Sequence, residues 1–546
     1  MKKFSVLFII FLLPSLSLAN MQISGKIIGA DGKVPALAHV HLINFQGNFQ
    51  QPFQTVTVGK DGQFNLQVSE QGLYRLFVTA VNHEHTTIPL ILDAETNDVE
   101  IDIQLASLEY KKQFDLVQIL GDWNKFGFND AEEMQKQADG TFIIEREISA
   151  DTITYQLIGL TEALRSVNGT QADYYVYDGG GDYRSVIKAK PGVVKIIFDP
   201  RKLLRIKEKD LPKVVLGKKN TQLKKLWEID LSVQKQREAF QAAVAEYQKT
   251  HEDMKDFKYD WSEAVTLLKS KMSDEKDIVV RQFAAIQLGQ LIPYRAEIDS
   301  ATKLAILELL PPNSVMWAAS PRLPLMLQQD EEKNQQFLKA LFDENPDRTV
   351  QAIALAYLTM IAQHEGDEEA FKNYYEKLNN EYADVREIQF DLKQLDPNKR
   401  IMVGKPVPDF EVTLLDGQEK VSNKSLLGKF YLMDFWAVWC GPCVGEMGHL
   451  HAAYEKFKNN NFVLLSLSLD RTPEDIAKFR QEKWKMPWLH AFLNNEDNKE
   501  VIETFEVMAI PKAVFVGPDG MILATEGDLR GENLELILAN HLKDTR

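Results

Sequence analysis

Cys440 and Cys443 are the only cysteines in 546 residues, and they stand three positions apart in the stretch FWAVWCGPC. A bridge across this spacing closes a ring of about four residues and restrains an unfolded chain by only about 2 kcal/mol, less than a longer loop would. The pair is therefore poorly placed as a structural staple and well placed for reversible exchange. Metal binding is the other chemistry that such thiols support, with His449 and His451 close by. Residues two apart on a helix point roughly 200° from each other, so the two imidazoles do not converge on one ion and no metal site is expected. Two acids flank the pair: Asp434 in an apolar run ahead of it, and Glu446 three residues beyond Cys443. A carboxyl buried without a cation partner has a raised pKa, which suits it to accept a thiol proton near neutral pH. The residues alone leave open which of the two does so.

These groups need a strand that ends, and a helix that begins, around the CGPC turn. The run KFYLMDFW reads as a buried strand, and Gly441 and Pro442 suit the tight start of a helix, proline being favoured in its first turn. A cysteine at such a start meets unpaired backbone N–H groups and the positive end of the helix dipole, both of which favour thiolate over thiol. Cys440 is thus the expected nucleophile. Cys443, one turn further on the same face, is the expected resolving thiol. Around them FEVTLL, FVLLSLSLD, PKAVFVGPDG and MILAT read as strands, with helices from about Pro442, after Pro473 and from about Glu532. Unbroken apolar strands separated by helices predict an α/β domain with a covered central sheet.

FWAVWCGPC resembles thioredoxin. Together with VGKPVPDFEVTLLDG and AIPKAVFVGPDG it resembles the exported TlpA/ResA class of thiol:disulfide oxidoreductases over residues 401–546. The resemblance implies a thioredoxin-like fold and disulfide exchange with protein substrates, with no cofactor beyond a redox-active Cys440–Cys443 disulfide. It implies that Cys440 attacks and Cys443 resolves. Asp434 matches the buried acid of cytoplasmic thioredoxins and Glu446 the acid of the exported class. Ile510–Pro511 matches a cis-proline loop that lies against the disulfide, a specific expectation because cis bonds are uncommon even before proline. Trp439, Gly441, Pro442, Ile510 and Pro511 are then the surface offered to a substrate. The chain departs from the class at Met447-Gly448, where an aromatic or Met followed by proline is usual, so a softened helix kink is expected. A peroxiredoxin would place Thr three residues before the attacking cysteine, where this chain has Ala437. Thioredoxin, with the same dipeptide between its cysteines, has a low potential of about −270 mV, which points to reduction of substrates and to a membrane thiol-reductant donor.

The rest of the chain is too long for one core and divides into further domains. Residues 20–108 alternate apolar and polar positions, with Asp31-Gly32 and Asp61-Gly62 as turns. They read as a β-sandwich resembling the carboxypeptidase regulatory-like domain. Residues 109–200 read as a second β-sandwich, resembling early-set domains that bind glucans, in which Trp123 either stacks on a sugar or closes the end of the sandwich. The glycine run Gly179–Gly181 lacks a strand-loop-helix context and reads as a loop. After a Lys-rich connector, residues 221–395 carry apolar positions at helical spacing, broken at Pro293, Pro311-Pro312 and Pro346, and predict eight or nine helices. An alternative to an enzyme is a glycan- or protein-binding protein in which the thioredoxin-like block is subsidiary.

The net charge of −16 is spread along the chain, which argues against nucleic acid as a partner. Residues 1–19 combine Lys2 and Lys3, an apolar run and small residues before Asn20, the pattern of a secretory signal peptide. The run is shorter than the roughly 18 residues that a spanning helix needs, so a periplasmic, soluble mature protein is expected.

Overall fold

The computed structural model of the chain describes residues 21–542 apart from 46–51, 71, 93–97, 162–164, 206–210, 252–253, 255, 328–329, 418 and 497. The signal segment expected at residues 1–19 lies outside the described residues. The architecture is multidomain: β-sheets first, helices in the middle, and an α/β domain last. Two compact units divide it, residues 1–358 and 359–546.

In the first unit Met21–Ile28 buries alternate side chains, as a strand with one covered face must. It belongs to a four-stranded sheet ordered Lys213–Leu216, Asp98–Gln104, Met21–Ile28, Gln63–Val68. A second sheet runs Gln54–Thr57, Ala38–Asn44, Gly72–Ala80, Thr86–Leu92. Ile23, Leu66 and Ile101 from one sheet and Val40, Leu76 and Ile88 from the other share one apolar core, which makes the pair a sandwich. Asp61-Gly62 turns the chain between strands, with Gly62 at φ +86°, a conformation that favours glycine. The connector after residue 200 is not merely a link. Its Lys213–Leu216 segment pairs antiparallel with Asp98–Gln104 and adds an edge strand to the first sheet.

Between those two strands the chain builds a second β layer pair, a three-stranded and a five-stranded sheet with Phe142, Ile196, Phe198, Ile119 and Tyr155 in a common core. Trp123 packs against this core. Its Nε1 donates to Glu132 Oε1 at 2.6 Å, the Arg146 guanidinium lies 5.6 Å from its ring, and a Cβ on Gly121 would collide with it. The indole is thus engaged within its own domain. Gly179–Gly181 lies in the hairpin between Tyr174–Tyr177 and Tyr183–Lys188.

Nine α-helices lie among the described residues from Thr221–Gln248 to Gln389–Leu395. Prolines 293, 311, 312 and 346 all fall between α-helices, where a missing N–H breaks no ladder. No helix among the described residues is long and apolar enough to cross a membrane.

The second unit ends in a five-stranded sheet ordered Leu489–Phe492, Phe462–Ser468, Phe430–Trp436, Lys512–Val516, Ile522–Thr525. The first three strands are parallel, and Lys512–Val516 runs antiparallel to Phe430–Trp436. Every residue of Phe430–Trp436 is buried, because both faces of the sheet are covered. Leu432 and Trp436 face a core shared with helices Gly441–Phe457 and Gly531–Leu542, whereas Tyr431, Met433 and Phe435 face another built on Phe410, Val501 and Phe505. By the period of two, Asp434 lies on the side of the helix that carries the cysteines.

Candidate active site

Strand Phe430–Trp436 ends at the turn that leads into helix Gly441–Phe457. That turn is held from below. Val438 N donates to Asp470 Oδ1 at 2.9 Å, and Asp470, fully buried, also accepts from Ser468 Oγ at 2.7 Å. Leu469 N donates to Trp436 O at 2.9 Å, completing the register between the two central strands.

Cys440 is the N-cap of the helix and Pro442 lies in its first turn. The sulfurs of Cys440 and Cys443 are bonded at 2.01 Å, so this is the oxidised form. Cys443 N donates to Cys440 Sγ at 3.2 Å. The first cysteine's sulfur therefore occupies the place where a helix start offers an unpaired N–H and partial positive charge, the environment that stabilises a thiolate. Both cysteines are buried against the core of the cysteine-bearing face, while Trp439, Gly441 and Pro442 are exposed around them. The helix continues through Met447-Gly448 to Phe457 in one α-helical segment. Its two histidines diverge: His449 is exposed, and His451 packs against the rings of Trp484 and Trp488 at 5.1 and 4.8 Å.

The strand register brings the proline loop to the same end of the sheet. Lys512 pairs with Phe435 and Ala513 with Asp434, so Pro511 stands beside the end of the strand that runs into the cysteine turn. The Ile510–Pro511 peptide is cis, the geometry that the resemblance implied. Ile510 packs against the core that holds both cysteines.

The two acids are close enough to influence each other. Asp434 is buried, with Oδ2 lacking a hydrogen-bond partner. Burial pushes its carboxyl up to about 7; the Arg530 guanidinium opposes the rise and the Glu446 charge adds to it. Glu446 is half-buried, and its Oε2 accepts from Gly531 N at 2.9 Å, so it binds the start of the last helix rather than facing solvent. Arg530 Nη2 donates to the carbonyl of Pro511. Arg530 and Asp470 were not legible in the sequence, because nothing local to either links it to the cysteines; only the fold brings them there.

Residues 428–522 match the family model described as Thioredoxin-like. A thiol-disulfide oxidoreductase ResA from Bacillus thuringiensis subsp. konkukian is 29% identical over 146 residues, 27% of this chain and 79% of that protein. The ResA of Oceanobacillus iheyensis is 30% identical over 131 residues, 23% of this chain and 66% of its own. Among solved structures, the thioredoxin domain of a thiol-disulfide oxidoreductase from Bacteroides vulgatus shares 31% identity across 26% of this chain and 98% of its own, with a TM-score of 0.24. The C-terminal segment is a thioredoxin-like domain. It is homologous to the ResA thiol-disulfide oxidoreductases.

Proposed function

We propose that the chain is an exported thiol:disulfide oxidoreductase that reduces disulfides in other proteins through Cys440 and Cys443. The observation that carries this reading is the placement of the Cys440 sulfur at a helix N-terminus, hydrogen-bonded by Cys443 N at 3.2 Å. In the reduced enzyme the Cys440 thiolate attacks one sulfur of the substrate disulfide. That S–S bond breaks, an S–S bond to Cys440 forms, and the departing thiolate takes a proton from water. Cys443 then gives up its proton and attacks Cys440 Sγ, releasing the second substrate thiolate. Two electrons pass to the substrate, and the enzyme dithiol becomes the disulfide. Asp434 receives the Cys443 proton; its carboxyl, pushed up to about 7, matches the task near neutral pH. Glu446 acts by raising Asp434, and Trp439, Gly441, Pro442, Ile510 and Pro511 form the surface on which substrate polypeptide lies. Regeneration in an oxidising compartment calls for a dithiol donor, and a membrane thiol transporter has the required chemistry. The β-sandwiches and the helices serve as accessory domains.

The test combines a trap with a potential. A Cys443→Ser variant should retain substrate proteins as mixed disulfides through Cys440, and the wild type should accelerate insulin reduction by dithiothreitol. The pair should have a potential near about −270 mV, as in thioredoxin; a value near about −120 mV would make it an oxidant instead.

A further inference from the structure

Beside Pro511 the second unit contains an open cavity of about 940 Å³ that neither the cysteines nor the acids use. Part of its lining comes from the proline loop, with Met508, Ala509 and Pro511, and part from the helical segment and the linker, with Met360, Phe390 and Val403. Four large apolar side chains stand exposed around it: Met360 at 43%, Phe390 at 51%, Val403 at 57% and Met508 at 36%. Apolar groups held open around one concavity are unusual on a surface that has no use for them. Four of the charged groups there are already engaged. Lys512 Nζ lies 2.7 Å from Glu526 Oε1, Lys399 Nζ donates to Gln394 O at 2.9 Å, and Glu506 pairs with Arg400 at 3.4 Å. The four exposed apolar groups share this rim with His364 and Asp528, and two of the four are methionines, whose unbranched chains adapt to differing shapes.

We propose that this cavity binds an apolar side chain of the substrate polypeptide, carried on the extended segment next to the disulfide under attack, and that Phe390 and Met360 set specificity from the helical side. The inference rests on the reductase reading above and names the substrate class for that same site. Continuity supports a polypeptide occupant. Pro511 belongs both to the cavity and to the loop beside the cysteine turn, which places the cavity next to a chain tethered to Cys440 and running past Pro511. The main-chain groups of Met508, Ala509 and Ile510 make no hydrogen bond among the described residues, which leaves them open to an extended segment. The enzyme would thus prefer unfolded proteins, whose apolar side chains are exposed, over folded proteins that bury them.

The experiment compares two disulfides on the full chain. A Phe390→Ser, Met360→Ser double variant should lose about 10-fold in kcat/KM for insulin, the loss expected when a side chain is no longer buried. Its rate with hydroxyethyl disulfide, which has no side chain to place, and its redox potential should match the wild type. Met508→Ser, on the proline loop, should reproduce the selective loss. Unchanged insulin kinetics in both variants would overturn the proposal, as would an equal loss with both disulfides. A wild type inactive on both disulfides would instead refute the reductase reading on which it stands.

Discussion

Asp434 sits where ionisation is costly, and its behaviour with pH follows with a definite sign. Its carboxyl is pushed up to about 7 by burial, whereas an unfolded Asp titrates near about 3.9. Between those values the folded protein holds a proton that the unfolded chain has released, so stability falls as pH rises from about 4 to about 7. Asp434→Asn removes this loss: by urea unfolding the oxidised variant should exceed the wild type at about pH 8 by up to about 4 kcal/mol, and the gap should close toward about pH 4. The same variant should slow resolution of the mixed disulfide; unimpaired resolution would move the proton-accepting role elsewhere. Arg530 works against the rise. Arg530→Met should shift the pH midpoint of resolution upward by roughly one unit, while Arg530→Lys keeps it near the wild-type value. A midpoint that does not move in Arg530→Met would mean that the guanidinium serves only to hold the Pro511 carbonyl.

At the scale of elements, the helix Gly441–Phe457 makes the two thiols unequal. Cys440 caps its start and Cys443 lies inside its first turn. In the reduced protein, alkylation by iodoacetamide should therefore modify Cys440 first, with a midpoint below the roughly 8.5 of a free cysteine; equal rates at both thiols would show that the helix start confers no advantage. This element was legible in the sequence, because the apolar run KFYLMDFW, the CGPC turn and the proline are adjacent signals. So was the cis Ile510–Pro511 bond, through the AIPKAVFV motif. The cavity wall was not, since Phe390 and Met360 look like ordinary members of an apolar helix face and only their exposure beside Met508 sets them apart. The strand Lys213–Leu216 was hidden for another reason: four residues, KVVL, between lysines give too short a run to stand out from a connector.

At the scale of the whole molecule, a buried long-range polar contact is costly to lose. Asp230, on helix Thr221–Gln248, is buried with Arg75 Nη1 at 3.7 Å and accepts from Gln287 at 3.1 Å, tying strand Gly72–Ala80 and helix Ile278–Gly289 together. Asp230→Ala leaves a buried guanidinium without its counter-ion and should cost the first unit about 3–5 kcal/mol, read by urea unfolding, with the Cys440/Cys443 potential unchanged. A cost below about 1 kcal/mol would place the pair among weak surface contacts. The order in which ribosomes make the chain adds a consequence of the edge strand Lys213–Leu216. The second sandwich is inserted in the sequence of the first, whose last strand is synthesised only after residues 109–200. A nascent chain that has emerged only to residue 205 therefore presents Asp98–Gln104 as an open edge, with unpaired backbone groups ready to join a neighbouring chain. The two sandwiches mature on one clock, and the arrival of four residues stops it.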